Sequence, residues 1–136
     1  GDIPTIPAIQ TEDEVLLNCQ RFYFKTFENS TLPVSNAGNN TGYFESVSGV
    51  AGAVNANLNT YQFPTTMRTI PNITIWNPFA AGNQIYDSNV VGSCTGSTPI
   101  NLTTKSTYFA CTANAGTAVG NGFVLHITGD ARLGII

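Results

Sequence analysis

Charged side chains are what this chain of 136 residues has least of, at 10% of the sequence against an average of about 25%. Its five basic residues are spread along the chain, and the formal net charge is −3. Because no basic cluster is present to neutralise a run of phosphates, we expect no nucleic-acid partner. No apolar run approaches the roughly 18 residues of a membrane-spanning helix, and no basic amphipathic stretch suits a membrane surface. We therefore expect no membrane insertion.

Metal-binding and nucleophilic groups are also scarce. The chain has one histidine, His126, and three cysteines, Cys19, Cys94 and Cys111, with no C-x-x-C pair. A zinc site normally needs three or four clustered ligands, so we expect no metal and no cofactor, and we interpret His126 as a structural or surface residue. The odd number of cysteines favours three buried or half-buried small hydrophobes, with a Cys94–Cys111 bridge as the alternative.

Carboxylates are the remaining groups with catalytic potential, because glycoside hydrolysis needs two of them facing a sugar. The candidates are Glu28, Glu45, Asp87 and Asp130. Nothing in their spacing marks a pair. Asp130 follows a glycine in T-G-D-A-R and is interpreted as a turn carboxylate paired with Arg132 or Arg68. The sequence therefore predicts a protein that is not an enzyme, with a hydrolase as an alternative.

Asn, Thr, Ser and Gly take the place of the missing charge. They favour turns and are poor helix formers, and short aromatic or β-branched stretches between them predict strands. The predicted strands cover residues 19–27, 43–48, 60–63, 72–76, 84–86, 106–112, 122–128 and 131–133. Residues 113–121 are predicted to join the two strands beside them as a long hairpin loop. Thr11 and Glu14 form a capping-box pattern, which predicts one helical turn but no long helix.

This pattern contains no strand–helix–strand alternation, which argues against a parallel α/β sheet. We predict an all-β domain over residues 11–136, an antiparallel β-sandwich of jelly-roll type with little or no helix. Its length fits a single domain. Pro4 and Pro7 lie between isoleucines in residues 1–10, which are predicted to be an extended N-terminal arm or linker.

Aromatic and amide side chains near one turn are the best candidates for a binding site. Sandwich domains that bind sugars stack an aromatic ring on the pyranose and add amide and carboxylate hydrogen bonds. Trp76, Asn77, Tyr86 and Asp87 lie close together across one turn and have the right chemistry, and Tyr43 is a further candidate. The competing interpretation, which the residue type favours, places Trp76 in the core, because a lone tryptophan in a small sandwich is often buried.

Three segments resemble the C-terminal tip domains of tailed-bacteriophage fibres and related virion proteins. They are C-Q-R-F-Y-F-K-T at residues 19–26, F-P-T-T-M-R-T-I-P-N-I-T-I-W-N-P at residues 63–78, and G-F-V-L-H-I-T-G-D-A-R-L at residues 122–133. Their order and spacing match the family, whose last strand commonly closes in Ala-Asp-Ala-Glu-Leu. Gly129 and Arg132 depart from that ending.

The resemblance implies a sandwich at the end of a fibre, often trimeric, that displays variable loops to a host. We therefore expect a virion tip domain that acts as a homotrimer and attaches to a host surface polysaccharide or receptor. The expected contact loops are residues 28–42, 49–59, 77–83 and 113–121. The resemblance carries over no catalytic or ligand-binding residue. The alternatives are a structural cap or trimerisation domain of a fibre, and a carbohydrate-binding module of a cellular enzyme.

Overall fold

The computed structural model describes residues 11–28, 30–38 and 42–132. The predicted arm over residues 1–10 lies outside the described residues, and so does Leu133, the last residue of the predicted final strand. Within the described residues the chain forms one short helix and antiparallel strands. The all-β fold class is confirmed.

The elements follow one another without a second helix in the described part of the chain. They are α1 (Glu12–Gln20), β1 (Tyr23–Lys25), β2 (Phe44–Val47), β3 (Asn55–Asn57), β4 (Tyr61–Gln62), β5 (Asn72–Trp76), β6 (Tyr86–Asp87), β7 (Gly92–Ser93), β8 (Thr95–Ile100), β9 (Ser106–Thr112) and β10 (Gly122–Asp130). The predicted strands 72–76 and 106–112 agree with β5 and β9. Polar and apolar residues alternate in β5, and buried and half-buried residues alternate in β9. The strands β7 and β8 lie in a stretch rich in glycine and serine that was not predicted as strand.

Two sheets enclose the core in a sandwich-like arrangement. Strand β10 is the centre of the first sheet and pairs with β2 and β6 over its first half and with β5 and β1 over its second half. Strand β9 is the centre of the second sheet and pairs with β3, β4 and β8. Phe123, Leu125 and Ile127 of the first sheet and Phe109 of the second all belong to the buried core.

The segment 113–121 is not the loop of a hairpin, which corrects the prediction. It passes from β9 in one sheet to β10 in the other. The reason is that both strands carry an apolar face, and each face is buried only when the two sheets pack against each other. Backbone bonds fix the crossing, since Thr117 O accepts from Gly52 N at 2.8 Å and Asn121 O accepts from Ser48 N at 2.8 Å.

Helix α1 begins at the predicted capping box and continues further than one turn. Thr11 Oγ1 accepts from Glu14 N at 3.2 Å, and Glu14 Oε2 accepts from Thr11 N at 3.3 Å. Acidic residues fill the first turn, where they complement the helix dipole. Cys19 is therefore helical, and the predicted strand 19–27 shortens to Tyr23–Lys25. None of the helical residues is buried, so capping rather than packing favours the helix.

The end of β10 is held by two arginines in different ways. Asp130 accepts from Arg132 Nε at 3.0 Å and from Arg132 Nη2 at 2.7 Å, which confirms the predicted pairing with Arg132. Arg68 instead donates from Nε to the backbone oxygen of Ala131 at 2.7 Å and lies over the ring of Phe22. The alternative pairing of Arg68 with Asp130 is not formed.

Candidate binding surface

The register of three strands places polar and aromatic residues side by side on one face of the first sheet. Asp130 lies between Tyr23 and Asn72, Thr128 between Lys25 and Thr74, and His126 beside Trp76. Successive residues of a strand point to opposite faces, and the alternate positions Phe24, Ile75 and Ile127 belong to the core. We call the eight residues on the other side the outer face: Tyr23, Lys25, Asn72, Thr74, Trp76, His126, Thr128 and Asp130.

Trp76 is half-buried on this face. Its Nε1 donates to Thr128 Oγ1 at 3.1 Å, and its ring meets Phe27 edge to face with 6.4 Å between centroids. The hydrogen bond and the ring contact fix the orientation of the indole while leaving part of it accessible. Trp76 is therefore not a core residue, as its residue type had suggested. It lies at the boundary between core and solvent.

His126 belongs to the outer face by its position on β10 but is itself fully buried. Its ring stacks on Phe27 with centroids 3.9 Å apart, and its Nδ1 lies 2.9 Å from Thr26 Oγ1. A hydrogen bond also joins it to the backbone of Gly38, and burial lowers its pKa. His126 was predicted to be either a structural or a surface residue, and the structure shows that it is a structural residue.

A continuous series of ring contacts leads from Trp76 to two other predicted residues. Tyr43 meets the His126 ring edge to face at 6.1 Å and the Phe79 ring at 5.9 Å. Phe79 in turn contacts Tyr86 at 5.2 Å. Tyr43 is half-buried, whereas Tyr86 is only 8% exposed. Tyr43 therefore borders the accessible surface, and Tyr86 lies at the buried end of the series.

Asn77 is completely buried and shapes the turn that follows β5. Its Oδ1 accepts from the backbone nitrogens of Phe79 and Ala80, both at 3.0 Å. Its Nδ2 donates to Ser93 Oγ at 2.9 Å. The predicted binding amide is thus held within the framework and does not face solvent.

Asp87 is also completely buried, and it joins two loops. Its Oδ1 accepts from Asn89 N at 3.0 Å and from Val90 N at 3.3 Å. Its Oδ2 accepts from Thr117 Oγ1 at 2.7 Å and from Asn121 Nδ2 at 3.2 Å. The carboxylate is satisfied by donors of the domain itself, so it connects the turn after β6 to the crossing segment 113–121.

The charged groups of the outer face are each engaged locally. Lys25 Nζ donates to Thr31 O at 2.6 Å, which ties the loop after β1 to the sheet. The hydrogen bond from Arg132 holds the pKa of Asp130 below its usual range. The Arg132 guanidinium also lies 4.8 Å from the centroid of the Tyr23 ring. A ligand on this face therefore meets balanced charge together with an exposed amide at Asn72 and a half-buried hydroxyl at Thr74.

The four loops expected to contact a ligand fall into two pairs. The described part of loop 28–42 contacts loop 77–83, since Asn36 N and Gly38 N donate to Asn77 O and Pro78 O, both at 2.7 Å. This pair borders the outer face near Trp76. Loop 49–59 contacts segment 113–121 near the start of β10, through the bond from Gly52 N to Thr117 O.

Of the eight residues of the outer face, only Trp76 was among the predicted binding residues. The other seven were not: Tyr23, Lys25, Asn72, Thr74, His126, Thr128 and Asp130. A signal for two of them was present, since the alternation in N-I-T-I-W places Asn72 and Thr74 on the same side as Trp76. The others depend on the register between distant strands, which the local sequence does not contain.

Comparisons with models of protein families, with curated proteins and with solved structures found no match to this chain. Within residues 11–28, 30–38 and 42–132, no helix is long and apolar enough to cross a membrane. The same residues contain no group of three or more His, Cys, Asp and Glu side chains arranged to hold a metal ion.

Proposed function

We propose that this chain is a non-enzymatic tip domain of a virion fibre and that it attaches to a host surface polysaccharide through the outer face. The observation that carries the proposal is the fixed, partly exposed indole of Trp76 beside Asn72 and Thr74 on one strand. An aromatic ring offers a flat apolar surface to the C–H face of a pyranose. A few fixed polar groups beside the ring then orient the ligand.

The dimensions of the face suit an extended chain of sugars. Asn72, Thr74 and Trp76 alternate along β5, and alternate residues of a strand lie about 7 Å apart. The three side chains therefore line a strip long enough for a short oligosaccharide. Hydroxyl groups of a neutral polysaccharide match the amide and hydroxyl of this strip, and they need no excess of charge from the protein.

The burial of two side chains with catalytic potential favours binding over catalysis. His126 and Asp87 are both 0% exposed, and their hydrogen bonds are made inside the domain. A general base must reach the proton that it removes, directly or through one water. Side chains held in this way serve the framework instead.

The three segments that carry the resemblance to phage fibre tips contact one another. Arg68 N donates to Arg21 O at 2.9 Å, and Ala131 N donates to Phe22 O at 2.7 Å. With the bond from Arg68 Nε to Ala131 O, one residue of each segment meets at the same corner of the sheet. The three segments that carry the resemblance therefore form one structural unit at this corner, and we treat them as one unit in the proposal.

A second candidate, a structural cap that trimerises the fibre, is favoured by helix α1. Val15, Leu16 and Leu17 are 46%, 49% and 48% exposed. Apolar side chains exposed on a short helix suit a contact between subunits, and such a contact also fits the proposed homotrimer. Attachment and trimerisation use different surfaces, so they can be tested separately.

Glycan arrays and sedimentation with host-derived polysaccharides test the attachment proposal. We expect Asn72→Ala to weaken binding by about tenfold, the effect of losing one good hydrogen bond. Gln62→Ala is the matched control, because Gln62 is an exposed strand amide in the other sheet and lies outside the four expected contact loops, and it should bind as the unmodified protein does. Equal weakening in both variants would contradict a site on the outer face. Failure to bind any host polysaccharide would favour the structural cap.

A further inference from the structure

Cys94 and Cys111 lie next to each other in the core between β8 and β9. Both side chains are buried, at 1% and 3% exposed, and both belong to the main apolar cluster. Thr95 pairs with Thr112 in the ladder, and the cysteine before each threonine points to the opposite, inner side. The two thiols therefore share one face at diagonal positions across neighbouring strands, within reach of each other.

The backbone around Cys94 is irregular. Cys94 lies between β7 and β8 and is not part of either strand. The register of β8 against β9 shifts between Thr95 and Thr98, as in a β-bulge, which bends a strand and releases it locally from the ladder. Disulfide bonds need closer Cα atoms than a regular diagonal pair provides. The break and the bulge supply the freedom for that approach.

The environment distinguishes the two sulfur atoms. Cys111 donates a hydrogen bond to Cys94, and the backbone nitrogen of Asn114 donates to Cys94 as well. These donors lower the pKa of Cys94, while donation to Cys94 and burial raise the pKa of Cys111. The thiolate is the nucleophile in disulfide exchange, so once the native contacts around the pair have formed, Cys94 is the better nucleophile of the two.

We propose that Cys94 and Cys111 form an intramolecular disulfide when the chain meets a small-molecule disulfide such as oxidised glutathione. The Cys94 thiolate attacks one sulfur of the oxidant, forms a mixed disulfide and releases one glutathione thiolate. The Cys111 thiol then loses its proton and attacks Cys94 Sγ, which breaks the mixed disulfide and releases the second glutathione. Two protein thiols are oxidised, and one glutathione disulfide is reduced to two glutathione molecules.

The bond would close the hairpin of β8 and β9. This hairpin carries most of the second sheet, since β3 and β4 also pair with β9. A closed loop restricts the unfolded chain and raises the temperature of unfolding. Because both sulfurs are buried, exchange takes place while the chain folds or when the strands open briefly. Cys19 is exposed and lies outside this pair.

Alkylation and intact-mass measurement test the proposal in the full chain carrying Cys19→Ser, which leaves only the paired thiols. The protein is unfolded with reductant and refolded in excess oxidised glutathione, then unfolded again and alkylated. We expect a mass two hydrogens below that of the reduced chain, no alkyl group and no bound glutathione. The thermal midpoint should rise by roughly 10 °C over the reduced protein, and reductant should reverse the rise.

Additional variants keep the test independent of misfolding. Cys111→Ala with Cys19→Ser should retain one bound glutathione on Cys94 and show no rise in thermal midpoint under the same treatment. Cys94→Ala with Cys19→Ser should likewise lack the rise. Two alkyl groups, or two bound glutathiones, on the protein with both cysteines after refolding in excess oxidant would overturn the proposal. The outcome does not depend on attachment to a glycan.

Discussion

The ring of Phe24 packs directly over Gly129, its partner in the ladder of β1 and β10. A Cβ atom at position 129 would lie 2.2 Å from Phe24 Cε1, closer than any real contact. Gly129 is one of the two positions that depart from the fibre-tip pattern, and the neighbouring ring accounts for it. Glycine is required here for lack of space, because the ring occupies the place of a side chain.

Gly129→Ala should therefore destabilise the domain by about 1–3 kcal/mol, the usual cost of overpacking a core. Urea unfolding measures the change. Gly49→Ala is the matched control, since its Cβ would have no neighbour within 4 Å, and it should be close to neutral. If Phe24→Leu is combined with Gly129→Ala, the two effects should not add, because the smaller side chain makes room. Equal stability of the Gly129 and Gly49 variants would show that Phe24 does not fill this space.

The buried His126 should make the domain sensitive to mild acid. Burial lowers its folded-state pKa below the value of about 6.5 in the unfolded chain. The unfolded state therefore binds the proton more readily, so stability is full above that value and falls as the pH drops below it. Urea unfolding at pH 7.5 and pH 5.5 should show this loss.

His126→Gln is the control for this pH dependence. It removes the titrating ring, so the variant should lose little stability between pH 7.5 and 5.5, even though its stability is lower at both values. The contribution of Asp130, whose pKa is also lowered, is lost at lower pH, below about 4. An unchanged pH dependence in His126→Gln would assign the effect to another group.

The four hydrogen bonds to Asp87 connect the turn after β6 with segment 113–121. In Asp87→Asn, an amide nitrogen takes the place of one carboxylate oxygen. This nitrogen is itself a donor, so it faces the donors that the oxygen had accepted from. We expect a loss of about 1–3 kcal/mol in the free energy of unfolding. Glu28→Gln neutralises an exposed carboxylate and should change stability by less than about 0.5 kcal/mol.

Thr117→Val provides an independent test of the same network, because it removes the donor 2.7 Å from Asp87 Oδ2. A double-mutant cycle of Asp87→Asn and Thr117→Val should give a coupling energy of at least about 0.5 kcal/mol. Additive effects of the two substitutions would mean that the carboxylate does not join these segments.

The strands that the sequence predicted correctly are those whose pattern is local. Alternation defines β5, a run of aromatic and β-branched residues defines β9, and the capping box of Thr11 and Glu14 defines the start of α1. The end of α1 was missed because none of its residues is buried, so no apolar stripe marks the helix. The crossing of residues 113–121 from one sheet to the other was missed because turn residues do not show which strands pair.

The candidate site was predicted only in part for the same reason. Trp76 and Tyr43 border the accessible surface, whereas Asn77 and Asp87 turn inward to backbone and hydroxyl donors. Residue type suggests a polar role but does not show the direction of the side chain. The neighbours of Trp76 on β1 and β10 are set by long-range register, which can be read only from the folded chain.

Tryptophan fluorescence during titration with a host surface polysaccharide is the most direct measurement of attachment through the outer face. Trp76 is the chain's one tryptophan, so its emission reports this face without any substitution. We expect a saturable change in emission, with the same midpoint as binding measured by calorimetry, and loss of binding in Trp76→Ala at a temperature where that variant remains folded. Polysaccharide binding without a change in emission, and with full affinity in folded Trp76→Ala, would contradict a site at Trp76.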